Sequence, residues 1–322
     1  MSGLAPALAW GRDYLRRTLL EPDYPLLAVE VRPHGLSVAR LRREGGRVVL
    51  AAAASCELPA GLLRLSITEP NISDAQAFGA LLASLLERTG ARQEGPVSLV
   101  LPDPVGRVAV LPAAELGGRR GRDLLEMARF RLRRTVPFEI REAQVAIALP
   151  PRGGPDTAVV AAVFRPVLQD YEAVLLRLGL VPRLVELCSP ALLDLVERSD
   201  GDQVFLNWDL TYASLALTRG GWPLLVRTLP EAASTPEALP REVGNTLLYY
   251  RERLGGPGLA GAVVRSAALP AEEAVSLLEE PLGLRPSVLE PWRGLGGGEA
   301  AAGHAVAGAL AAALRGARRW AA

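Results

Sequence analysis

The chain has 322 residues, 36 basic and 35 acidic side chains giving a net charge of +1, and a composition that is 49% hydrophobic. Its length suggests about two domains, each with its own core, and the near-neutral balance provides no basic field for nucleic acid. Lysine is absent and all 36 cationic side chains are arginine, which excludes a Walker-A loop, a kinase-type lysine and Schiff-base chemistry.

In chain order, residues 1–24 come first. Within them Leu8 to Leu20 could form an amphipathic helix, with Trp10, Tyr14 and Leu19 among Arg12, Arg16 and Arg17. Such a helix could lie on a membrane surface, dock a partner or pack on its own domain. "LLAVEV", "LSVARLR" and "RVVLAAAASCEL" then read as a three-strand meander, with turns at Pro33–Gly35 and at Gly45-Gly46. "SDAQAFGALLASLLERTG" predicts a helix capped by Ser73 or Asp74 and closed by Gly90. "PVSLVLPD" and "GRVAVLPA" read as a strand pair, and "GRDLLEMARFRLRRTVPFEI" as a helix ending before Pro137. Strands "AQVAIALP" and "TAVVAAVF", helix "PVLQDYEAVLLRLGL", strand "VPRLVEL" and helix "SPALLDLVERS" complete the first half.

The polar "SDGDQ" is the best domain boundary. Beyond it "VFLNWDLTYASLALTRGG" and "WPLLVRTL" read as a second antiparallel pair. Alternating helices and strands follow, ending in the helix "AAAGHAVAGALAAALRG". Both halves therefore open on antiparallel strands and continue as α/β, as two related domains around a cleft would.

Chemistry-bearing clusters are few. Cys56 and Cys188 are far apart, which suits a reducing compartment and no disulfide framework. His34 and His304 lack the neighbours a zinc site or a serine-hydrolase triad would need. Arg119, Arg120, Arg122, Arg129, Arg131, Arg133 and Arg134 form the densest basic stretch. It reads as a solvated helix face, or as a surface for anionic lipid or an acidic partner.

Four phrases carry a family resemblance: "PVSLVLPDPVGRVAVLPA", "LLEMARFRLRRTVPFEIREAQVAIAL", "REVGNTLLYYRERLGG" and "HAVAGALAAALRG". In this order the chain resembles the PilM-type proteins of type IV pilus assembly, which have the actin-like fold and are close to FtsA. The resemblance implies an α/β, actin-like (ASKHA) two-domain fold with a subdomain inserted in the first domain. Residues 1–24 would be an N-terminal segment, 25–200 the first domain with the insertion at about 92–184, and 201–322 the second domain. The last helix would pack back on the first domain.

In such folds two Asp-Ile-Gly hairpins grip the nucleotide phosphates and a Gly-Gly turn admits the adenosine, because backbone must approach phosphate with no Cβ in the way. Here Glu30, Val31 and Arg32, followed by Pro33, stand in the first hairpin, and Asn207, Trp208 and Asp209 in the second. Arg265, Ser266 and Ala267 replace the adenosine turn. Arg32 could bind phosphate and Glu30 could reach a metal, but Asn207 loses a charge and Asp209 adds one where the γ-phosphate would come. Trp208 and Tyr212 could fill the space a nucleotide vacates, though core packing of large aromatic side chains is the simplest account. The expectation is a degenerate ATP site with no catalysis and no cofactor; an active Mg²⁺-ATPase is the alternative.

The resemblance further implies a cytoplasmic scaffold, peripheral to the inner membrane, that binds the short N-terminal tail of a PilN-like membrane protein and meets other pilus-machine components. The tail would lie between the first domain and its insertion, near Ser66–Ser73 and Leu184–Ser189. A type II secretion component of GspL type is the related alternative.

Overall fold

The computed structural model describes residues 25–91, 95–151, 153–292, 295 and 303–318; the amphipathic stretch expected in residues 1–24 lies outside the described residues. The first sheet begins with the meander β1 (Leu27–Arg32), β2 (Gly35–Glu44) and β3 (Arg47–Glu57) and adds β4 (Gly95–Leu101) and β8 (Leu180–Leu187) in the order β3-β2-β1-β4-β8. β1 is antiparallel to β2 and parallel to β4, which is parallel to β8. Strand alternation gives this sheet two buried faces. On one, Val29 and Val31 meet helices α1 (Ala75–Arg88) and α3 (Arg165–Arg177) through Phe78, Leu82, Leu85, Tyr171 and Leu175. Asp74 is the N-cap of α1, accepting from the N–H groups of Gln76 and Ala77.

The second sheet repeats the plan: β9 (Asp202–Trp208), β10 (Tyr212–Arg219), β11 (Trp222–Pro230), β12 (Leu259–Ser266) and β13 (Ser287–Val288), in the order β11-β10-β9-β12-β13. The sequence-expected single strand "VFLNWDLTYASLALTRGG" is two strands. The bend at Asp209–Thr211 contains neither Gly nor Pro, so its turn signal is weak. Helices α5 (Leu239–Arg253) and α6 (Ala271–Leu282) cover the outer face. Across the two hairpins the register is the same: Glu30 lies opposite Ser37 on β1/β2, and Asn207 opposite Ser214 on β9/β10.

Between β4 and β8 the chain leaves the first sheet to build a third, of order β5-β7-β6, from β5 (Gly106–Pro112), β6 (Ala143–Ala148) and β7 (Thr157–Phe164), backed by α2 (Gly121–Leu132). The expected insertion at 92–184 is therefore too wide: β4 and β8 belong to the main sheet and α3 to its core, leaving about residues 103–164. The expected pairing of "PVSLVLPD" with "GRVAVLPA" fails for the same reason, since those strands lie in different sheets. Alternation shows which residues are strand-like but not which strand they join.

Two short helices face the interdomain side of the first sheet: α4 (Cys188–Leu193) and α7 (Ala307–Arg318). Ala307, Ala309, Leu310 and Ala313 of α7 join Ala28, Ala39, Val100, Phe205 and Ala216 in one core shared by both sheets. The C-terminal helix thus packs on β1, β2 and β4 of the first domain. Among the described residues no helix is long and apolar enough to cross a membrane.

Candidate functional site: a self-filled cleft and an open groove

Where two actin-type hairpins would face a nucleotide, the chain holds a closed network of its own charges. Glu30 on β1, Asn207 at the end of β9, Asp209 in the turn and Arg265 on β12 are all 1% exposed or less. Parallel pairing of β12 with β9 sets Arg265 beside Asn207. Its guanidinium donates to Asn207 Oδ1 at 3.0 Å, to Asp209 Oδ2 at 2.7 Å and to the His304 carbonyl at 3.1 Å. Asp209 also accepts from the Leu210 N–H at 2.8 Å.

Glu30 turns to the helix that closes the fold. Its Oε2 accepts the Ala309 N–H at 3.0 Å, in the first turn of α7 where a carboxylate complements the helix dipole. Its Oε1 faces the Cys188 thiol at 3.6 Å. A Cβ on Gly308 would lie 2.6 Å from Glu30 Oε1, so only glycine lets the helix sit this close. Burial pushes the Glu30 carboxyl up, against the pull of Arg265, Arg32 and the Ala309 N–H.

Asp103, just past β4, was not among the residues expected from sequence. It is 2% exposed and collects the Ser189 N–H at 2.9 Å, the Ser189 hydroxyl and the Ser214 hydroxyl at 2.7 Å. Asn207 donates to Ser189 Oγ at 3.0 Å, joining the two halves of the network. These groups come from four elements with no fixed sequence spacing; only the "PDP" at a strand end could have drawn attention to Asp103.

The other expected nucleotide positions separate. Val31 belongs to the first core. Trp208 points away from the cleft, into the second-domain core, where its indole N–H donates to the Ser234 carbonyl at 2.7 Å. Trp208 thus packs in a core, the simpler of the two expectations for it, and does not fill the cleft: β9 alternation sends Val204, Leu206 and Trp208 to one face and Phe205 and Asn207 to the other. Tyr212, by contrast, is fully buried among Cys188, Asp103, Asp209 and Arg265.

Arg32 folds back on its own hairpin, its Nε 3.3 Å from Ser37 Oγ, and a Cβ on Gly35 would clash with its guanidinium at 2.6 Å. Pro33 is buried in the turn, while His34 is exposed. Ser266 is committed to a local turn, donating to the Leu269 carbonyl and accepting the Leu269 N–H, and the Ala267 N–H donates to the Trp208 carbonyl. Among the described residues no group of three His, Cys, Asp or Glu side chains is arranged to hold a metal.

A second feature stands open. A groove of about 820 Å³ runs between the inserted sheet and the first domain. Alternation along β7 puts Ala158, Val160 and Ala162 against α2 and leaves Val159, Ala161 and Val163 to the groove. Opposite them lie Leu101, Val185, Leu187 and Leu193, and Trp222 of the second domain closes one end. The Trp222 indole N–H donates to the Thr157 carbonyl and the Thr157 hydroxyl to the Pro223 carbonyl, both at 2.8 Å, tying the insertion to the second domain.

Of the expected groove segments, Val185–Leu187 lines this space. Ser66–Ser73 is instead a self-bonded loop: Asn71 bonds Ser66 and Glu69, and Asp170 accepts the N–H groups of Asn71 and Ile72. The basic helix α2 is partly neutralised, Arg129 by Glu126 and Arg131 by Glu115, and Arg133 stacks 4.2 Å from the ring of exposed Phe130.

No protein-family model matches the sequence, and no curated protein does. Solved structures do match. A PilM–PilN type IV pilus biogenesis complex aligns with a TM-score of 0.74 and 22% identity over 92% of this chain and 99% of that one. A Bacteroides thetaiotaomicron protein with an actin-like ATPase fold gives 0.53 and 11% identity over 84% and 91%. The cytoplasmic domain of EpsL, an inner-membrane component of the Vibrio cholerae type II secretion system, gives 0.51 and 11% over 91% and 94%. With two sheets of the same order, paired hairpins at the cleft and an insertion in the first half, the chain has the actin-like fold and is similar in build to PilM.

Proposed function

We propose that this protein is a non-catalytic scaffold of a type IV pilus or related inner-membrane assembly machine, capturing the short cytoplasmic tail of a PilN-like membrane protein. It would sit in the cytoplasm, peripheral to the inner membrane. The observation that carries the reading is a contrast within one molecule. The nucleotide cleft is filled by Arg265 bonded to Asp209 and Asn207 and by the α7 helix on Glu30, while the groove beside the insertion is open.

A phosphate would have to displace a buried ion pair and meet the carboxylates of Glu30, Asp103 and Asp209. The groove offers what an extended peptide needs: apolar walls from two rigid sheets and a size within the range of ligand sites. Its attachment to the second domain through Trp222 and Thr157 gives a bound tail a way to influence both halves. The likeness to a PilM–PilN complex supports the choice of partner, and the likeness to the EpsL domain supports a secretion machine as the sister possibility.

The test is calorimetry on the full chain with a synthetic PilN-type N-terminal peptide and, separately, with Mg²⁺-ATP. Micromolar peptide binding that disappears in Ala161→Trp, with no heat from ATP, is the expected result. Tight ATP binding without peptide binding would overturn the scaffold reading in favour of an active ATPase.

A further inference from the structure

The inserted subdomain carries a charge asymmetry that neither the cleft nor the groove uses. From Arg119 to Arg134 there are seven arginines and two carboxylates, Asp123 and Glu126, a net +5 in a chain whose total is +1. Glu126 pairs with Arg129, and Glu115 with Arg131. Arg120, Arg122, Arg133 and Arg134 are exposed and form no ion pair among the described residues. Helix stability does not account for them all. Arg120 is the N-cap of α2, without a side-chain capping bond, and Arg122 lies in the first turn, where the helix dipole disfavours a cation.

One apolar side chain stands among these charges. Ala128 and Leu132 belong to the core of the inserted sheet. Phe130, two residues from each, falls on the opposite side of the helix and is 51% exposed. The Arg133 guanidinium lies 4.2 Å over its ring. No other large apolar side chain among the described residues 103–142 is exposed. A protein interface is built on a core of several apolar residues inside a polar rim. A single aromatic ring among cations instead suits a lipid headgroup layer, where the ring enters the acyl boundary and the guanidiniums meet phosphate.

We infer that the exposed side of α2, Phe130 with Arg120, Arg122, Arg133 and Arg134, docks on a membrane surface rich in anionic phospholipid. Asp123 lies on the same side of the helix and subtracts from the attraction. The contact is separate from peptide capture, because the inserted sheet lies between α2 and the groove. It gives the protein a hold on the bilayer of its own, beside any hold through a partner's tail.

The test is flotation of the full chain with vesicles of phosphatidylcholine alone and of phosphatidylcholine with an equal part of phosphatidylglycerol. Binding is expected to the anionic vesicles only, and to weaken as salt is added. Each of Arg120→Gln, Arg122→Gln, Arg133→Gln and Arg134→Gln should weaken it about fivefold, and the four combined should abolish it. Phe130→Ser should weaken it about tenfold.

No flotation with anionic vesicles, or equal flotation with neutral ones, would overturn the inference. So would flotation undiminished in the combined variant, which would place the contact elsewhere on the chain. Polyglutamate probes the competing partner: wild-type protein that binds it but neither vesicle would assign this face to an acidic protein. Should the combined variant melt early, hydrogen exchange on the wild-type protein decides the matter. Anionic vesicles are expected to slow exchange in α2, and slowing confined to other segments would overturn the inference.

Discussion

The guanidinium of Arg265 lies 2.7 Å from the carboxylate of Asp209, and both side chains are 2% exposed or less. A buried ion pair is weak evidence of net stabilisation, but breaking one leaves an uncompensated charge. Removing Arg265 strands Asp209, the Asn207 carbonyl and the His304 carbonyl together. Arg265→Ala should therefore cost about 3–5 kcal/mol in urea unfolding. The double variant Arg265→Met with Asp209→Asn, which removes both charges, should recover a good part of that. A single variant as stable as wild type would mean that the pair does not hold the cleft shut.

Nucleotide should leave the protein indifferent. A functional site saturated at 100 times its dissociation constant would add about 2.7 kcal/mol and raise the melting temperature. Millimolar Mg²⁺-ATP is expected to produce no shift in thermal unfolding, with Arg265→Ala as the comparison, since it vacates space without restoring the missing glycines.

Two helical glycines make opposite predictions. Gly308→Ala drives a methyl group to 2.6 Å from Glu30 Oε1, and overpacking of this kind costs about 1–3 kcal/mol. At Gly244 in α5 an added Cβ would meet nothing within 4 Å, so Gly244→Ala should stabilise by about 0.5–1 kcal/mol through helix propensity. Denaturant melts of the pair measure the contact against a control in the same molecule.

Glu186 makes a pH prediction. Burial, against the pull of Arg315 and with the push of Asp194, raises its carboxyl from 4.5 to about 7. The folded form then binds a proton more tightly than the unfolded chain does. Its contribution to stability is fully present below pH 4.5 and is lost as pH rises through about 7. The shift corresponds to roughly 3 kcal/mol at most. Glu186→Gln cannot titrate, so its melting temperature should gain on that of wild type between pH 5 and pH 8. A difference that stays constant with pH would place the ionisation elsewhere.

Much of the fold was readable because the chain writes its strands plainly. The mostly apolar run from Leu27 to Val31 and the Pro33-His34 turn announce the first hairpin, and Asp74 with Gly90 brackets α1. Partnership was harder to read: β4 and β5 are neighbours in sequence yet lie in different sheets, and nothing within either strand says so. Of the cleft, Glu30, Asn207 and Asp209 were located through the resemblance to actin-like hairpins, and Arg265 through that resemblance's adenosine turn. Their mutual neutralisation was not, because arginine is normally a surface residue and its burial depends on partners from distant elements. Which face of β9 Trp208 occupies is fixed by where α5 packs, and it lies in the core, as the simplest account of a large aromatic there had it.

The bond from Ala309 to Glu30 spans 279 residues. Contacts so distant in sequence form late, because the loop they close must be ordered first. During synthesis at about 5–20 residues per second, the cleft face of the first sheet would wait on the order of tens of seconds for its covering helix. Ala28, Ala39 and Val100 are exposed to solvent or to a chaperone until then. A chain cut before residue 303 should consequently behave as a sticky fragment rather than a free first domain. The half of the protein that is made first is the half that is finished last.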